Sequence, residues 1–139
     1  MDDSITKLID ACEGERFQAI RNVDGLTVVT QGIGITTACF AEFEAGTNGL
    51  AGGDSGNGSR TYIGIEFEDG FDADIQMYKN DAKYTKGVII EAGGDCELIS
   101  LLAGFRFIFR ALEDGYISSK KLNSQDKIAK SGGTQWQKR

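Results

Sequence analysis

The chain has 139 residues and lacks two amino acids altogether. It contains no histidine, which excludes Ser/His and Cys/His nucleophilic pairs and imidazole-bound zinc. It also contains no proline, for which the sequence offers no functional reason. Three cysteines, Cys12, Cys39 and Cys96, are odd in number and form no CxxC motif, which predicts buried free thiols in a reducing compartment. Common enzyme classes are therefore disfavoured, and we assign no catalytic residue, metal ligand or cofactor.

Long apolar runs are absent as well. No stretch of the sequence approaches the roughly 18 apolar residues of a membrane-spanning helix. The first residues, MDDSITKLIDACEGER, carry acidic side chains where a signal peptide carries basic ones. We therefore expect a cytoplasmic protein, in the host cytoplasm if it is viral, with no membrane partner.

Positive charge is scarce in most of the chain. Residues 1–117 contain nine Lys and Arg against twenty Asp and Glu, whereas residues 118–139 contain six against one. Non-specific binding to duplex nucleic acid needs a basic surface that neutralises phosphates. An acidic body with a basic tail therefore predicts no duplex nucleic acid partner.

The pattern of apolar residues predicts one α+β domain over residues 1–117 and a basic, partly disordered tail over 118–139. We expect an antiparallel sheet of about five strands, a short N-terminal helix and a long C-terminal helix packed on the sheet. That long helix is predicted to begin at Asp95 and to end at Gly115. Residues 46–59, rich in glycine, are predicted to form a flexible loop, either a surface insertion or a lid that closes on a ligand.

The segment RTYIGIEFEDGFDADIQMY predicts a hairpin with a loop at 68–70. In that register Phe67 faces Phe71, and every apolar side chain shares one face. The other face is acidic, with Glu66 opposite Asp72, and it is either solvated or binds a cationic group; we favour the solvated interpretation. A carboxylate enzyme would need a catalytic pair among these acids and Asp74.

The segment GFRFIFR, residues 104–110, combines three phenylalanines with two arginines on the long helix. A helical wheel assigns the core to one stripe: Leu98, Ile99, Leu101, Leu102, Phe105, Ile108, Phe109 and Leu112. Arg106, Phe107 and Arg110 fall outside that stripe. Three interpretations stay open: an interface between copies of the chain, an anion site with a stacking aromatic, or ordinary surface with Arg110 paired to Glu113.

An α+β chain of this size without catalytic machinery, with an Arg-x-x-x-Arg pair on its C-terminal helix, resembles the phage Thoeris anti-defence sponges, which sequester cyclic ADP-ribose signals. The resemblance covers the segment from Tyr78 to Arg110. It implies that Arg106 and Arg110 meet phosphates and that Tyr78 stacks on the adenine.

We therefore expect a non-enzymatic homo-oligomer that binds a small phosphorylated nucleotide, such as a cyclic nucleotide or an ADP-ribose signal. The expected ligand-binding residues are Arg106, Arg110, Phe107 and Tyr78. The alternative is a structural or protein-interaction subunit, namely a virion component, an assembly factor or an acidic inhibitor of the immunity-protein type. In that alternative the Arg/Phe helix serves only as an oligomer interface.

Overall fold

A computed structural model describes residues 3–51 and 58–129, with side chains described up to residue 120. The elements, in chain order, are α1 (Asp3–Cys12), β1 (Glu13–Val23), β2 (Leu26–Thr36), β3 (Phe40–Thr47), β4 (Thr61–Phe67), β5 (Ala73–Asn80), β6 (Thr85–Ala92) and α2 (Asp95–Ala129). The predicted α+β class, with a short N-terminal and a long C-terminal helix, is confirmed.

The strands form two antiparallel sheets. Strands β1 to β4 pair in sequence order, and β5 pairs with β6 in a separate two-stranded sheet. The predicted hairpin between β4 and β5 is wrong, because β4 pairs with β3 and brings Glu66 opposite Glu42. Phe67 and Phe71 do meet, but as stacked rings 4.3 Å apart at the turn. Alternating apolar residues show which face of a strand is buried, and they do not show which strand is its neighbour.

The core lies between α2 and the four-stranded sheet. The helix packs mainly on β3 and less extensively on β2 and α1. Its sheet-facing side is made largely of small residues, and a Cβ on Gly104 would lie 2.3 Å from the ring of Phe43. Phe43 is fully buried, so a glycine at this position lets the helix backbone approach the sheet. The buried residues of this side are Ser100, Ala103, Gly104, Phe107, Ile108 and Ala111.

The helical wheel assigned this helix incorrectly. Phe107 is only 7% exposed and lies in the core, whereas Phe105 is 49% and Phe109 65% exposed. Apolar residues occur almost all around α2, so the wheel identifies no single buried side. The decisive signal is the set of small residues on one side of α2, namely Ser100, Ala103, Gly104 and Ala111. A close contact between helix and sheet needs small residues at these positions, so Phe105 and Phe109 point outward.

The long helix continues to Ala129, whereas the sequence predicted that it ends at Gly115. A Cβ on Gly115 would lie 2.7 Å from the backbone oxygen of Thr47, so this glycine allows close packing and is not a helix terminator. Of the predicted glycine-rich loop, residues 46 and 47 belong to β3, and residues 52–57 lie outside the described residues. Residues 130–139 of the predicted tail also lie outside them. Among the described helices, none is long and apolar enough to cross a membrane.

Candidate functional site

Arg106 is held by two carboxylates. Its guanidinium donates to Oδ1 of Asp10 and to Oε2 of Glu13, each at 2.7 Å, and its side chain is 11% exposed. Burial lowers the pKa of Arg106, but the hydrogen bonds to Glu13 and Asp10 outweigh that effect and raise it. Arg106 therefore fixes α2 to α1 and to the start of β1, and its charge is already balanced.

Phe107 does not display its ring to solvent, contrary to the sequence prediction. The side chain is buried in the core, and the guanidinium carbon of Arg16 lies 5.5 Å from the ring centroid. Because Arg16 is on β1, this cation–π contact joins the helix to the sheet. Phe107 thus has a packing role, and the outward-facing phenylalanines are its neighbours Phe105 and Phe109.

Arg110 is exposed on α2. Among the described side chains, none forms an ion pair or a hydrogen bond with it, Glu113 included. The interpretation as a local surface pair with Glu113 is therefore wrong for this structure. Of the two helical arginines, Arg110 is the one whose donors are available to an anion.

Tyr78 lies on the separate β5–β6 hairpin and is 49% exposed. Its ring covers Gly87, its cross-strand partner, where a Cβ would lie 2.5 Å from the ring. Aromatic rings often cover a cross-strand glycine in this way, which shields the backbone and stabilises the pair. The four predicted site residues therefore do not form one cluster. Arg106 is paired and Phe107 lies in the core, whereas Arg110 has no ion-pair partner among the described residues and Tyr78 lies on the hairpin.

The exposed side of α2 carries an apolar stripe with regular spacing, which we call the α2 seam. Its members are Leu98, Leu102, Phe105, Phe109, Leu112 and Tyr116, separated by four, three, four, three and four residues. This alternation is the heptad spacing that two helices use when they pack side by side. Leu98 is 58% exposed, and Leu112 is the most covered member, partly packed against the core.

A second apolar surface lies on the β5–β6 hairpin. Ile75 pairs with Ile90 and Met77 with Val88, so all four side chains share one face, and Met77 is 84% exposed. The base of the hairpin is attached to α2, because Glu97 accepts a hydrogen bond from the backbone N–H of Asp72 at 3.0 Å. This bond is the main cause of the lowered pKa of Glu97. The base of the hairpin therefore lies beside the first turn of α2, where the α2 seam begins.

A polar cleft, which the sequence did not indicate, opens where the second half of α2 lies over β1 and β2. Its volume is about 60 Å³. Gln18, Thr27, Gln31, Asp114 and Ser118 line it, and their side chains form no hydrogen bond to another described residue. Val29, Thr47, Asn48, Gly115 and Ser119 complete the lining. Its residues come from four elements and loops, so no local motif could have predicted it.

A partly buried ion pair stabilises the other face of the sheet. Arg21 on β1 donates two hydrogen bonds of 2.6 Å to the carboxylate of Glu44 on β3. Thr30 also donates to Glu44, and the ring of Tyr62 lies 5.1 Å from the guanidinium carbon of Arg21. The bond from Arg21 is the largest cause of the lowered pKa of Glu44. This network joins the four strands of the larger sheet.

This ion pair predicts how stability depends on pH. The pKa of Glu44 in the folded state lies below its ordinary value of 4.5, so its contribution is present above that pH and is lost as the pH falls through the folded-state pKa. In Arg21→Met we expect a lower urea midpoint at neutral pH and a smaller difference from wild type at about pH 3. Lys79→Met, at an exposed hairpin position, is the control. A constant difference between Arg21→Met and wild type across this range would contradict the assignment.

Other potential sites are poorly equipped for chemistry. Cys12 is buried and its thiol donates to the backbone oxygen of Ile9, and burial raises its pKa, which disfavours the reactive thiolate. Cys39 and Cys96 are half-buried free thiols. Among the residues that the structure describes, no three cysteine or acidic side chains are grouped as metal ligands.

Comparisons with known proteins give no family for this chain. No protein-family model, no curated protein and no solved structure matches it significantly.

Proposed function

We propose that this protein is a non-enzymatic homo-oligomer that binds a small phosphorylated nucleotide and thereby sequesters it. In this proposal two copies meet along the α2 seam, and Arg110 binds a phosphate of the ligand. The observation that carries the proposal is the heptad-spaced apolar stripe on the exposed side of α2, on the same helix as Arg110, which has no ion-pair partner among the described residues.

The α2 seam supports self-association because its chemistry and its spacing suit a second helix of the same kind. Six apolar side chains follow one line along five turns of helix, and none of them is charged. Removing apolar surface from water contributes about 25 cal/mol per Å², and each aromatic ring buries about 150–250 Å². A two-fold axis passing between Phe105 and Phe109 would bring four phenylalanine rings together at the centre of the interface.

Arg110 supports an anionic ligand because a guanidinium presents several donors in a planar arrangement that matches phosphate oxygens. The body of the protein is acidic, so an unpaired arginine is unusual on its surface. Arg106 and Phe107 support the site by holding α2 in place.

Nucleotide binding predicts that Arg110→Ala weakens affinity for the bound nucleotide by about 10-fold to 100-fold, since one charge-assisted contact to phosphate is lost. Isothermal titration calorimetry of wild type with cyclic nucleotides and ADP-ribose isomers identifies the ligand, and the same titration of Arg110→Ala measures the loss. Lys7→Ala, which removes an exposed positive charge from α1, is the matched control. If wild type binds none of these compounds, the nucleotide part of the proposal is wrong.

A structural or protein-interaction subunit remains the second candidate, and the uncovered apolar face of the β5–β6 hairpin favours it. A two-stranded hairpin is marginally stable alone in water, so a partner that covers Ile75, Met77 and Val88 would stabilise it. Deleting residues 118–139 separates the candidates. Loss of assembly on deletion favours the interaction subunit, whereas the α2 seam keeps its six members in the shortened chain.

A further inference from the structure

The boundary between α2 and β1, which we call the crevice, ends in the polar cleft. Three contacts show that the two elements follow the same direction. Arg106 bonds Glu13 at one end, Phe107 lies under Arg16 in the middle, and Asp114 and Ser118 share the polar cleft with Gln18 at the other end. Arg110 falls on the helical turn between Phe107 and Asp114, so helix geometry puts its backbone position level with the middle of this crevice.

The middle of the crevice is basic. The side chain of Arg16 is 65% exposed and has one ion pair, a 3.3 Å contact with Glu13, which also binds Arg106. Arg110 has no charged partner among the described residues. Glu13 is therefore shared by Arg16 and Arg106, and the exposed Arg16–Glu13 pair contributes little to stability. Arg16 on β1 and Arg110 on α2 are therefore exposed basic residues beside the middle of this crevice.

The cleft end of the crevice is polar and has one charged group. Amides and hydroxyls are the main side chains there, Asp114 is its one charged residue, and no basic residue lines it. Amide and hydroxyl groups both donate and accept hydrogen bonds, and a carboxylate accepts them from neighbouring sugar hydroxyls. A volume of about 60 Å³ holds roughly four ordered waters, which a sugar-sized group can displace. An anion is disfavoured here by Asp114.

We propose that this crevice binds a sugar phosphate, with the sugar hydroxyls in the polar cleft and the phosphate between Arg16 and Arg110. This inference rests on the proposed nucleotide binding and specifies how the ligand lies: its ribose contacts Gln18, Gln31 and Asp114, one helical turn from the phosphate. It adds Arg16, a residue of β1, to the phosphate site and gives Arg106 a positioning role only.

Ribose 5-phosphate and inorganic phosphate distinguish the two ends of the crevice by NMR of the full chain labelled with ¹⁵N. We expect ribose 5-phosphate to shift the side-chain amide signals of Gln18 and Gln31 together with the guanidinium signals of Arg16 and Arg110. Inorganic phosphate should shift the guanidinium signals alone. If ribose 5-phosphate leaves both amide signals unchanged, the sugar subsite is refuted.

Variants test the same assignment through affinity. The double variant Gln18→Ala, Gln31→Ala should bind ADP-ribose about tenfold more weakly and pyrophosphate unchanged, because only hydroxyl contacts are removed. Arg16→Ala should weaken both ligands. Gln76→Ala, which removes an exposed amide on the hairpin, should change neither. If wild type binds ADP-ribose and the double variant binds it equally well, this inference fails while the proposed function stands. If wild type binds neither ADP-ribose nor pyrophosphate, this inference fails, and the proposed function fails with it only if the cyclic nucleotides and the other ADP-ribose isomers do not bind either.

Discussion

Phe109→Glu is expected to convert the protein into a monomer, with a dissociation constant at least about 100-fold weaker than that of wild type. Each pair of chains loses two aromatic rings from the centre of the α2 seam and gains two like charges there. The folded monomer should be little affected, because Phe109 is largely exposed within one chain. Sedimentation equilibrium over a range of concentrations measures this change directly.

Ile117→Glu is the matched control for that experiment. Ile117 is an apolar residue on the same helix and is 43% exposed, but its position falls outside the heptad spacing of the α2 seam. The Ile117→Glu variant should therefore keep the oligomeric mass of wild type. If Phe109→Glu and Ile117→Glu reduce association equally, the interface does not follow the seam. If neither variant changes the mass of an oligomeric wild type, another surface forms the interface.

Gly104→Leu is expected to destabilise the fold by about 3 kcal/mol, at the upper end of the usual cost of overpacking. The new side chain enters the space of the Phe43 ring, which lies 2.3 Å from the position of a Cβ and is itself fully buried. The higher helix propensity of leucine offsets at most about 1 kcal/mol of this cost. Urea unfolding should be measured in the Phe109→Glu background, because dimerisation would otherwise add to the apparent stability.

Leu98→Ala in the same background is the comparison, and it should cost less than about 1 kcal/mol. Replacing a fully buried leucine with alanine lowers the free energy of unfolding by about 2–5 kcal/mol, but Leu98 is largely exposed in one chain. If Leu98→Ala destabilises the monomer more than Gly104→Leu does, the helix packs on the sheet through the large residues and its orientation here is wrong.

The class of the fold could be predicted from the sequence because its signals are local. Capping residues and apolar periodicity mark α1 and the start of α2, and period-two alternation marks the strands. Strand pairing could not be predicted in the same way. The residues of β4 alternate as they would beside β5, yet β4 pairs with β3. Strand β3 precedes β4 in the sequence and is separated from it by residues 48–60.

The orientation of α2 escaped prediction for a related reason. Phe105 and Phe109 are more hydrophobic than Gly104, and a wheel that counts hydrophobicity places them in the core. The structure buries the glycine instead, since the close approach of the Phe43 ring leaves no space for a larger residue. Hydrophobic residues left outside by such packing are then available for a second chain.

The candidate site was predicted only in part. Arg110 stays a candidate because an exposed arginine on a helix can be identified from spacing. Arg106 has the same spacing, but its partners Asp10 and Glu13 are about ninety residues away in sequence. The polar cleft likewise joins Gln18 and Gln31 to Asp114 and Ser118. Only the packing of α2 on β1 and β2 brings these groups together, so their proximity carries no signal in the sequence.

Native mass spectrometry of the wild-type chain with ADP-ribose tests the central claim most directly, because one spectrum reports both the number of copies and the bound ligand. We expect a species of at least twice the 15.0 kDa chain mass that carries ADP-ribose, and a loss of the ligand peak in Arg110→Ala without a loss of the oligomer. A spectrum that contains only the unliganded 15.0 kDa chain would contradict it.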